Sequence, residues 1–145
     1  MDTKDGLWNA RLTARSSTLT TFWTPFGRYR WLRLPFGLKV SGDEYQRRLH
    51  EIFAGIPNIV IVQDDILVLG SGENDKEASA SHDRALRQLL QRARQANIKF
   101  NKLKIKLKMR EVKYLGYIIT NQGVKADDSK IRAITTMRNP TDEKE

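Results

Sequence analysis

Two apolar, β-branched runs enclose a pair of aspartates in the stretch IVIVQDDILVLG, between Ile59 and Gly70. Because β-branched residues favour strands, this pattern predicts two buried strands with Asp64 and Asp65 at the reversal between them. Adjacent carboxylates at a sheet edge repel each other unless cations or donors meet them, and a Mg²⁺ ion is the simplest remedy. A polar hairpin tip exposed to water explains the same pair, since aspartate is common in turns.

The charge balance favours polyanionic partners. Lys and Arg outnumber Asp and Glu by 26 to 17, which gives a net charge of +9 and a pI near 10.0. Nucleic acid is one such partner, and an ordinary basic surface is the other reading. The absence of cysteine excludes disulfides and fits an intracellular setting, cytoplasmic or nuclear. No apolar run approaches the length of a membrane span, so we expect no membrane partner.

Helical periodicity predicts three helices. Two have apolar residues at helical spacing, and the third follows an aspartate cap. They are DEYQRRLHEIFAG, capped by Asp43 and ended by Gly55; Ser81 to Ala96, with a core face of Leu86, Leu89, Leu90 and Ala93; and a last helix capped by Asp127 or Asp128, with Ile131, Ile134 and Met137, ended by Pro140.

Strand patterns flank these helices. Thr18–Trp23 and Arg28–Leu34 predict a hairpin around the turn residues Thr24 to Gly27. Leu103–Met109 alternates apolar and basic residues, as a half-buried strand does. Val112–Thr120 predicts a further strand, with Gly116 at a bend or a close backbone approach.

This order of motifs resembles the palm of reverse transcriptases, specifically those of gypsy-class long-terminal-repeat retroelements. The matching text is MDTKDG, TPFGRYRWLRLPFGLK, EYQRRLHEIF, DDILV, HDRALRQLL, VKYLGYIIT and GVKADDSKIRAI. The resemblance implies an α+β fold: a palm-like antiparallel sheet with helices packed on one face, as a fragment of a right-hand polymerase. Residues 1–120 would form the palm and 121–145 its connection to the thumb, without the upstream fingers segment.

The resemblance also assigns roles to residues. Asp2, Asp64 and Asp65 would be catalytic and would hold two Mg²⁺ ions, with Mn²⁺ as a possible substitute. The nucleotide and template pocket would include Pro35, Phe36, Gly37 and Lys39, and the primer-binding strand Tyr114, Leu115, Gly116 and Tyr117. Leu7 stands where the family usually has an aromatic residue that excludes the ribose 2′-hydroxyl, which leaves sugar discrimination open.

The implied function is nucleotidyl transfer to a primer 3′-hydroxyl by an RNA-directed DNA polymerase. Its partners would be an RNA or DNA template-primer, deoxynucleoside triphosphates, and the fingers, thumb and ribonuclease H parts of a polyprotein. Positioning supplies much of phosphoryl-transfer catalysis, so we expect this chain alone to be weakly active or inactive. The alternatives are a catalytically inactive nucleic-acid-binding module and a structural remnant of a retroelement polymerase.

Overall fold

The Asp-Asp hairpin lies within the first of two compact units, Met1–Lys106 and Leu107–Glu145, in a computed structural model that describes residues 1–137. Both units combine helices with small antiparallel sheets, which confirms the α+β prediction. The first unit contains α1 (Gly6–Asn9), α2 (Ala14–Leu19), β1 (Phe22–Thr24), β2 (Gly27–Tyr29), α3 (Ser41–Ile52), β3 (Ile59–Val62), β4 (Asp65–Val68) and α4 (Asp75–Gln95). The second contains β5 (Glu111–Tyr114), β6 (Tyr117–Thr120), β7 (Gly123–Ala126) and α5 (Asp128–Thr135).

The core of the first unit forms where α3 and α4 pack on the β3–β4 hairpin. Ile61 and Ile66 are directly paired across the hairpin, and both are buried. One face of each helix joins them in a single cluster. It includes Tyr45 and Leu49 from α3, Phe53 directly after α3, and Ala85, Leu89 and Ala93 from α4. Burying one large apolar side chain contributes about 1.5–3 kcal/mol, so this cluster fixes the hairpin against both helices.

Several predicted boundaries differ from the structure. The β1–β2 hairpin forms around the predicted turn, but Thr18 lies in α2 and the second arm ends at Tyr29. Helix α3 begins at Ser41, so Asp43 lies in its first turn and not at its cap. Helix α4 begins at Asp75, because Asn74 accepts a hydrogen bond from the Glu77 amide. On α4, Leu90 is 45% exposed, so the predicted core face is partly wrong.

The predicted strand Leu103–Met109 is wrong. This stretch contains no strand, and Leu103 is 95% exposed. The Lys104 amide donates to the Asn101 carbonyl at 3.0 Å, and the Asn101 amide donates to the Asp2 carbonyl at 2.9 Å. A turn therefore replaces the extended backbone that the alternation of leucine and lysine favours.

Val112–Thr120 forms a hairpin and not one strand. Leu115 and Gly116 make its two-residue turn with φ of 51° and 82°, and Tyr114 is paired with Tyr117. Two positive φ values are typical of the type I′ turn that matches strand twist. The third strand, β7, was not predicted, whereas α5 begins after Asp127 as expected. Pro140 lies outside the described residues, but α5 ends at Thr135, so the predicted extension of this helix through Met137 is wrong.

Candidate active site

A short antiparallel contact brings Asp2 to the Asp-Asp hairpin. Asp2 is bridged to Asp65, the Thr3 amide donates to the Asp64 carbonyl at 3.1 Å, and the Ile66 amide donates to the Met1 carbonyl at 2.7 Å. Residues 1–3 therefore lie alongside the beginning of β4. This backbone pairing brings Asp2 next to Asp64 and Asp65, although Asp2 lies 62 residues before Asp64 in the chain.

The turn between β3 and β4 has an unusual backbone. Gln63 and Asp64 form its two-residue loop, since Val62 is paired with Asp65, and Gln63 has φ of 53°. Non-glycine residues adopt positive φ at a cost, so neighbouring structure must support the turn. The Gln46 side chain on α3 provides that support by accepting a hydrogen bond from the Gln63 amide at 3.0 Å.

The carboxyl groups of Asp2 and Asp64 contact each other. Partial burial, followed by the nearby Asp2 carboxyl, raises the pKa of Asp64. Burial also acts to raise the pKa of Asp2, but the Lys104 ammonium and a hydrogen bond with Asp64 outweigh it, and the pKa of Asp2 is lowered. The two shifts run in opposite directions, so Asp64 takes up a proton more readily than Asp2 does.

Lys104 supplies a cation to this pair. Its Nζ lies 2.5 Å from Oδ2 of Asp2, whose side chain is only 14% exposed, and the contact raises the pKa of Lys104. The sequence pattern placed Lys104 on the cationic face of a strand and gave no sign of this contact. The Asn101 turn described above directs it to Asp2.

The carboxylate oxygens of Asp2 and Asp64 are ligands that suit a hard cation such as Mg²⁺. Mg²⁺ prefers oxygen ligands, and a bound cation would relieve the repulsion between the Asp2 and Asp64 carboxylates. Within the described residues, however, no three His, Cys, Asp or Glu side chains form a group that could hold a metal ion. The side chains of Asp2 and Asp64 therefore lie together as a pair. Asp65 is next to them because its backbone is bridged to Asp2, but its side chain does not complete a group of three.

A cavity of about 510 Å³ opens beside the pair. Of the predicted nucleotide residues, Leu7 and Phe36 line it, whereas Pro35, Gly37 and Lys39 do not. The complete lining is Asp2, Thr3, Lys4, Asp5, Gly6, Leu7, Phe36, Gly42, Tyr45, Gln63, Asp64, Asn101 and Lys104. Its size suits a small-molecule ligand.

Tyr45 forms a buried wall of this cavity that the sequence indicated only as a core position. The Tyr45 hydroxyl and the Thr3 Oγ1 are both buried without a hydrogen bond of acceptable geometry. A β-carbon at Gly6 would lie 2.5 Å from Cζ of Tyr45, so only glycine fits against this ring. Burial raises the pKa of Tyr45, and the charges of Asp64 and Asp2 act in the same direction.

The four predicted primer residues lie together in the second unit, at the β5–β6 turn. Leu115 and Tyr117 are 53% and 55% exposed, and Tyr114 is half-buried. The structure therefore places Tyr114 to Tyr117 on one hairpin with exposed side chains at its tip.

Within the described residues, no helix is long and apolar enough to cross a membrane.

Comparison with known proteins identifies relatives over the whole chain. A family model described as reverse transcriptase (RNA-dependent DNA polymerase) matches residues 1–119. The Pol polyprotein of the Drosophila melanogaster transposon opus is 34% identical over 146 residues, covering 100% of this chain and 14% of that protein. The gypsy Pol polyprotein of the same organism is 30% identical over 142 residues, covering 97% and 13%. The chain thus spans about one seventh of these relatives.

Solved structures show the same likeness. A foamy viral protease-reverse transcriptase in complex with double-stranded DNA has a TM-score of 0.79 and 25% identity, covering 96% of this chain and 24% of that one. A foamy viral protease-reverse transcriptase in complex with an RNA/DNA hybrid has a TM-score of 0.76 and 26% identity, covering 96% and 18%.

Proposed function

Because the chain belongs to the reverse transcriptase family, with gypsy-class retrotransposon Pol polyproteins among its relatives, we propose that it is the palm portion of an RNA-directed DNA polymerase. The observation that carries this proposal is the meeting of Asp2 with the hairpin that holds Asp64 and Asp65. Residues far apart in the chain contribute carboxylates to one cavity, and that cavity is large enough for a nucleotide.

Asp2, Asp64 and Asp65 would hold two Mg²⁺ ions, for which Mn²⁺ could substitute. When bound, two such cations stabilise the attacking and leaving oxygens of an in-line displacement. Asp2 and Asp64 already face one another, and Asp65 lies directly opposite Asp2 in the backbone bridge. Directly opposite residues share one face of a sheet, so side-chain rotation would bring Asp65 to the pair.

Lys104 would control charge in this site. Its ammonium offsets the negative charge of Asp2 when no divalent cation is present. Because Lys104 lines the same cavity, its ammonium can also donate to a phosphate oxygen of a bound nucleotide. The lysine would thus move between a carboxylate and a phosphate without leaving the cavity.

Leu7 and Phe36 would enclose the sugar and base of a deoxynucleoside triphosphate. Leu7 is half-buried and lines the cavity together with Tyr45, and Phe36 is 63% exposed at the cavity. Pro35 would act indirectly, because its carbonyl accepts from the Ser41 hydroxyl at 2.7 Å and fixes the approach to α3. Gly37 and Lys39 would contact the template, since both lie in the exposed segment that precedes α3.

The partners would be an RNA or DNA template-primer, held at the primer strand by Tyr114, Leu115, Gly116 and Tyr117. Foamy viral relatives in complex with double-stranded DNA and with an RNA/DNA hybrid support this proposal. Since the polyprotein relatives are about seven times longer, we also propose that fingers, thumb and ribonuclease H parts cooperate with this chain. The palm would end near residue 120, and the protein would act inside the cell.

Primer extension on an RNA template tests the proposal. The chain is assayed with Mg²⁺ and then Mn²⁺, beside Asp64→Asn and the matched control Asp43→Asn, which removes an exposed carboxylate from α3. We expect at most weak extension by the parent and the control, and none by Asp64→Asn. Equal extension by Asp64→Asn would overturn the proposed site. If no protein extends the primer, salt-dependent nucleic-acid binding that survives Asp64→Asn would favour a binding module.

A further inference from the structure

The ammonium of Lys130 lies directly against the β5–β6 turn. A β-carbon at Gly116 would lie 2.0 Å from Nζ and 2.8 Å from Cε of Lys130. The charged end of this side chain therefore occupies the space that any other residue at position 116 would fill. Gly116 has φ of 82° and carries no side chain, so the turn both reverses the chain and leaves room for the cation.

Lys130 forms no ion pair with the part of the chain that the structure describes. Two acids lie just before Lys130 in the chain, the exposed Asp128 and the buried Asp127. The Asp127 carboxylate already accepts from Lys113 Nζ at 2.9 and 3.1 Å and from the Ser129 amide and hydroxyl at 3.1 and 2.8 Å. Lys130 contacts Asp127 only through its backbone amide, which donates to the Asp127 carbonyl at 2.8 Å. A cation in the first turn of α5 also gains nothing from the helix dipole.

The surroundings of this cation suit a nucleic-acid backbone. Leu115 and Tyr117, on either side of Gly116, are both more than half exposed. An ammonium pairs with a phosphate oxygen as a point charge, while an exposed aromatic ring packs against a sugar or a base. The ammonium of Lys130 on α5 thus lies close to a turn whose exposed side chains, Leu115 and Tyr117, are apolar and aromatic.

We propose that Lys130 binds a phosphate of the primer strand and that Gly116 exists as glycine to admit it. The inference rests on the proposed function, because it takes the Tyr114–Tyr117 hairpin as the primer-binding element. It adds a residue from α5 to that element and names its ligand, a phosphodiester group near the primer 3′ end. Phosphate contacts set the register of a strand and carry no sequence information, so Lys130 would position the primer and would not select bases.

Fluorescence anisotropy with a labelled RNA template–DNA primer tests this inference without requiring turnover. Lys130→Gln is compared with the parent and with Arg132→Gln, which removes one charge from the same helix about 200° around its axis. We expect Lys130→Gln to weaken binding about 5- to 10-fold and to lower the slope of log affinity against log salt by about 0.9. Arg132→Gln should change neither by as much. Circular dichroism confirms that both variants fold.

Neutral methylphosphonate linkages in the duplex then locate the contact. One such linkage near the primer 3′ end should weaken binding of the parent but not weaken Lys130→Gln further. Equal losses in Lys130→Gln and Arg132→Gln, or a Lys130-dependent linkage found on the template strand, would overturn the inference while leaving the proposed function intact. If the parent chain does not bind the duplex at all, the proposed function fails, and this inference fails with it.

Discussion

The two best-defined hairpins of this chain are built on opposite principles. The β3–β4 hairpin has a turn residue, Gln63, that is poorly suited to its φ of 53°, but its strands contribute Ile61 and Ile66 to a buried core. The β5–β6 hairpin has a glycine where φ is 82°, yet among residues 107–137 no apolar side chain is buried. Packing stabilises the first, and turn chemistry stabilises the second. A hairpin held by packing can place unfavourable residues such as Asp64 at its tip.

Core truncation should separate the hairpins most strongly. Ile66 is 0% exposed, so Ile66→Ala should lower the free energy of unfolding by about 3 kcal/mol, within the 2–5 kcal/mol typical of buried sites. Ile119→Ala, at a half-buried position of β6, should cost about 1 kcal/mol or less. Urea unfolding followed by circular dichroism measures both. Equal losses would contradict the claim that packing supports only the first hairpin.

Turn substitutions should reverse that order. Gly116→Ala places a side chain at positive φ and against Lys130, so we expect a loss of about 1–2 kcal/mol. Gln63→Ala changes one non-glycine residue for another and keeps the amide that donates to Gln46, so its effect should stay below about 0.5 kcal/mol. The same urea titrations provide the comparison. A larger loss for Gln63→Ala would show that the first turn, too, depends on local chemistry.

Acid should affect the second unit through Asp127, which ties β5 to α5. The Lys113 ammonium and the Ser129 donors lower the pKa of Asp127 to about 2. Because the folded pKa lies below the ordinary value of 3.8, the stabilisation is complete above about pH 4 and is lost as pH falls toward 2. Carboxyl chemical shifts against pH by NMR measure this pKa. A midpoint near 3.8 for the Asp127 carboxyl would contradict this assignment. So would an Asp127→Asn variant that loses as much stability on acidification as the parent does.

Local pattern was enough to predict the β3–β4 hairpin, because two β-branched runs around two aspartates leave little choice of structure. The start of α4 was also predictable, because Asn74 and Glu77 form a reciprocal cap. The Glu77 amide donates to Oδ1 of Asn74, and Nδ2 of Asn74 donates to Oε1 of Glu77. The predicted start at Ser81 overlooked that signal, since the helix begins at Asp75.

The contacts that complete the site were not readable from local pattern. Lys104 lies in a stretch that alternates like a strand, but no strand among residues 1–137 pairs with it. Its course is set instead by the hydrogen bonds from Lys104 to Asn101 and from Asn101 to Asp2. Gln46 fits a capping pattern at its own helix, yet it supports the turn at Gln63 instead. Gln46 contacts Gln63, and Lys104 contacts Asp2. Each contact joins residues more than 15 positions apart, so a local sequence pattern cannot predict it.

Binding of Mn²⁺, followed by loss of the free-ion electron paramagnetic resonance signal, tests the central claim most directly. The parent chain and Asp43→Asn should bind the ion, and Asp2→Asn and Asp64→Asn should not, because each removes one member of the carboxyl pair. In the absence of divalent ions, Asp64→Asn should also raise the thermal midpoint at neutral pH, since the raised pKa of Asp64 shows that its charged form is disfavoured when folded. Mn²⁺ binding that is equal in the parent and both pair variants would contradict the account.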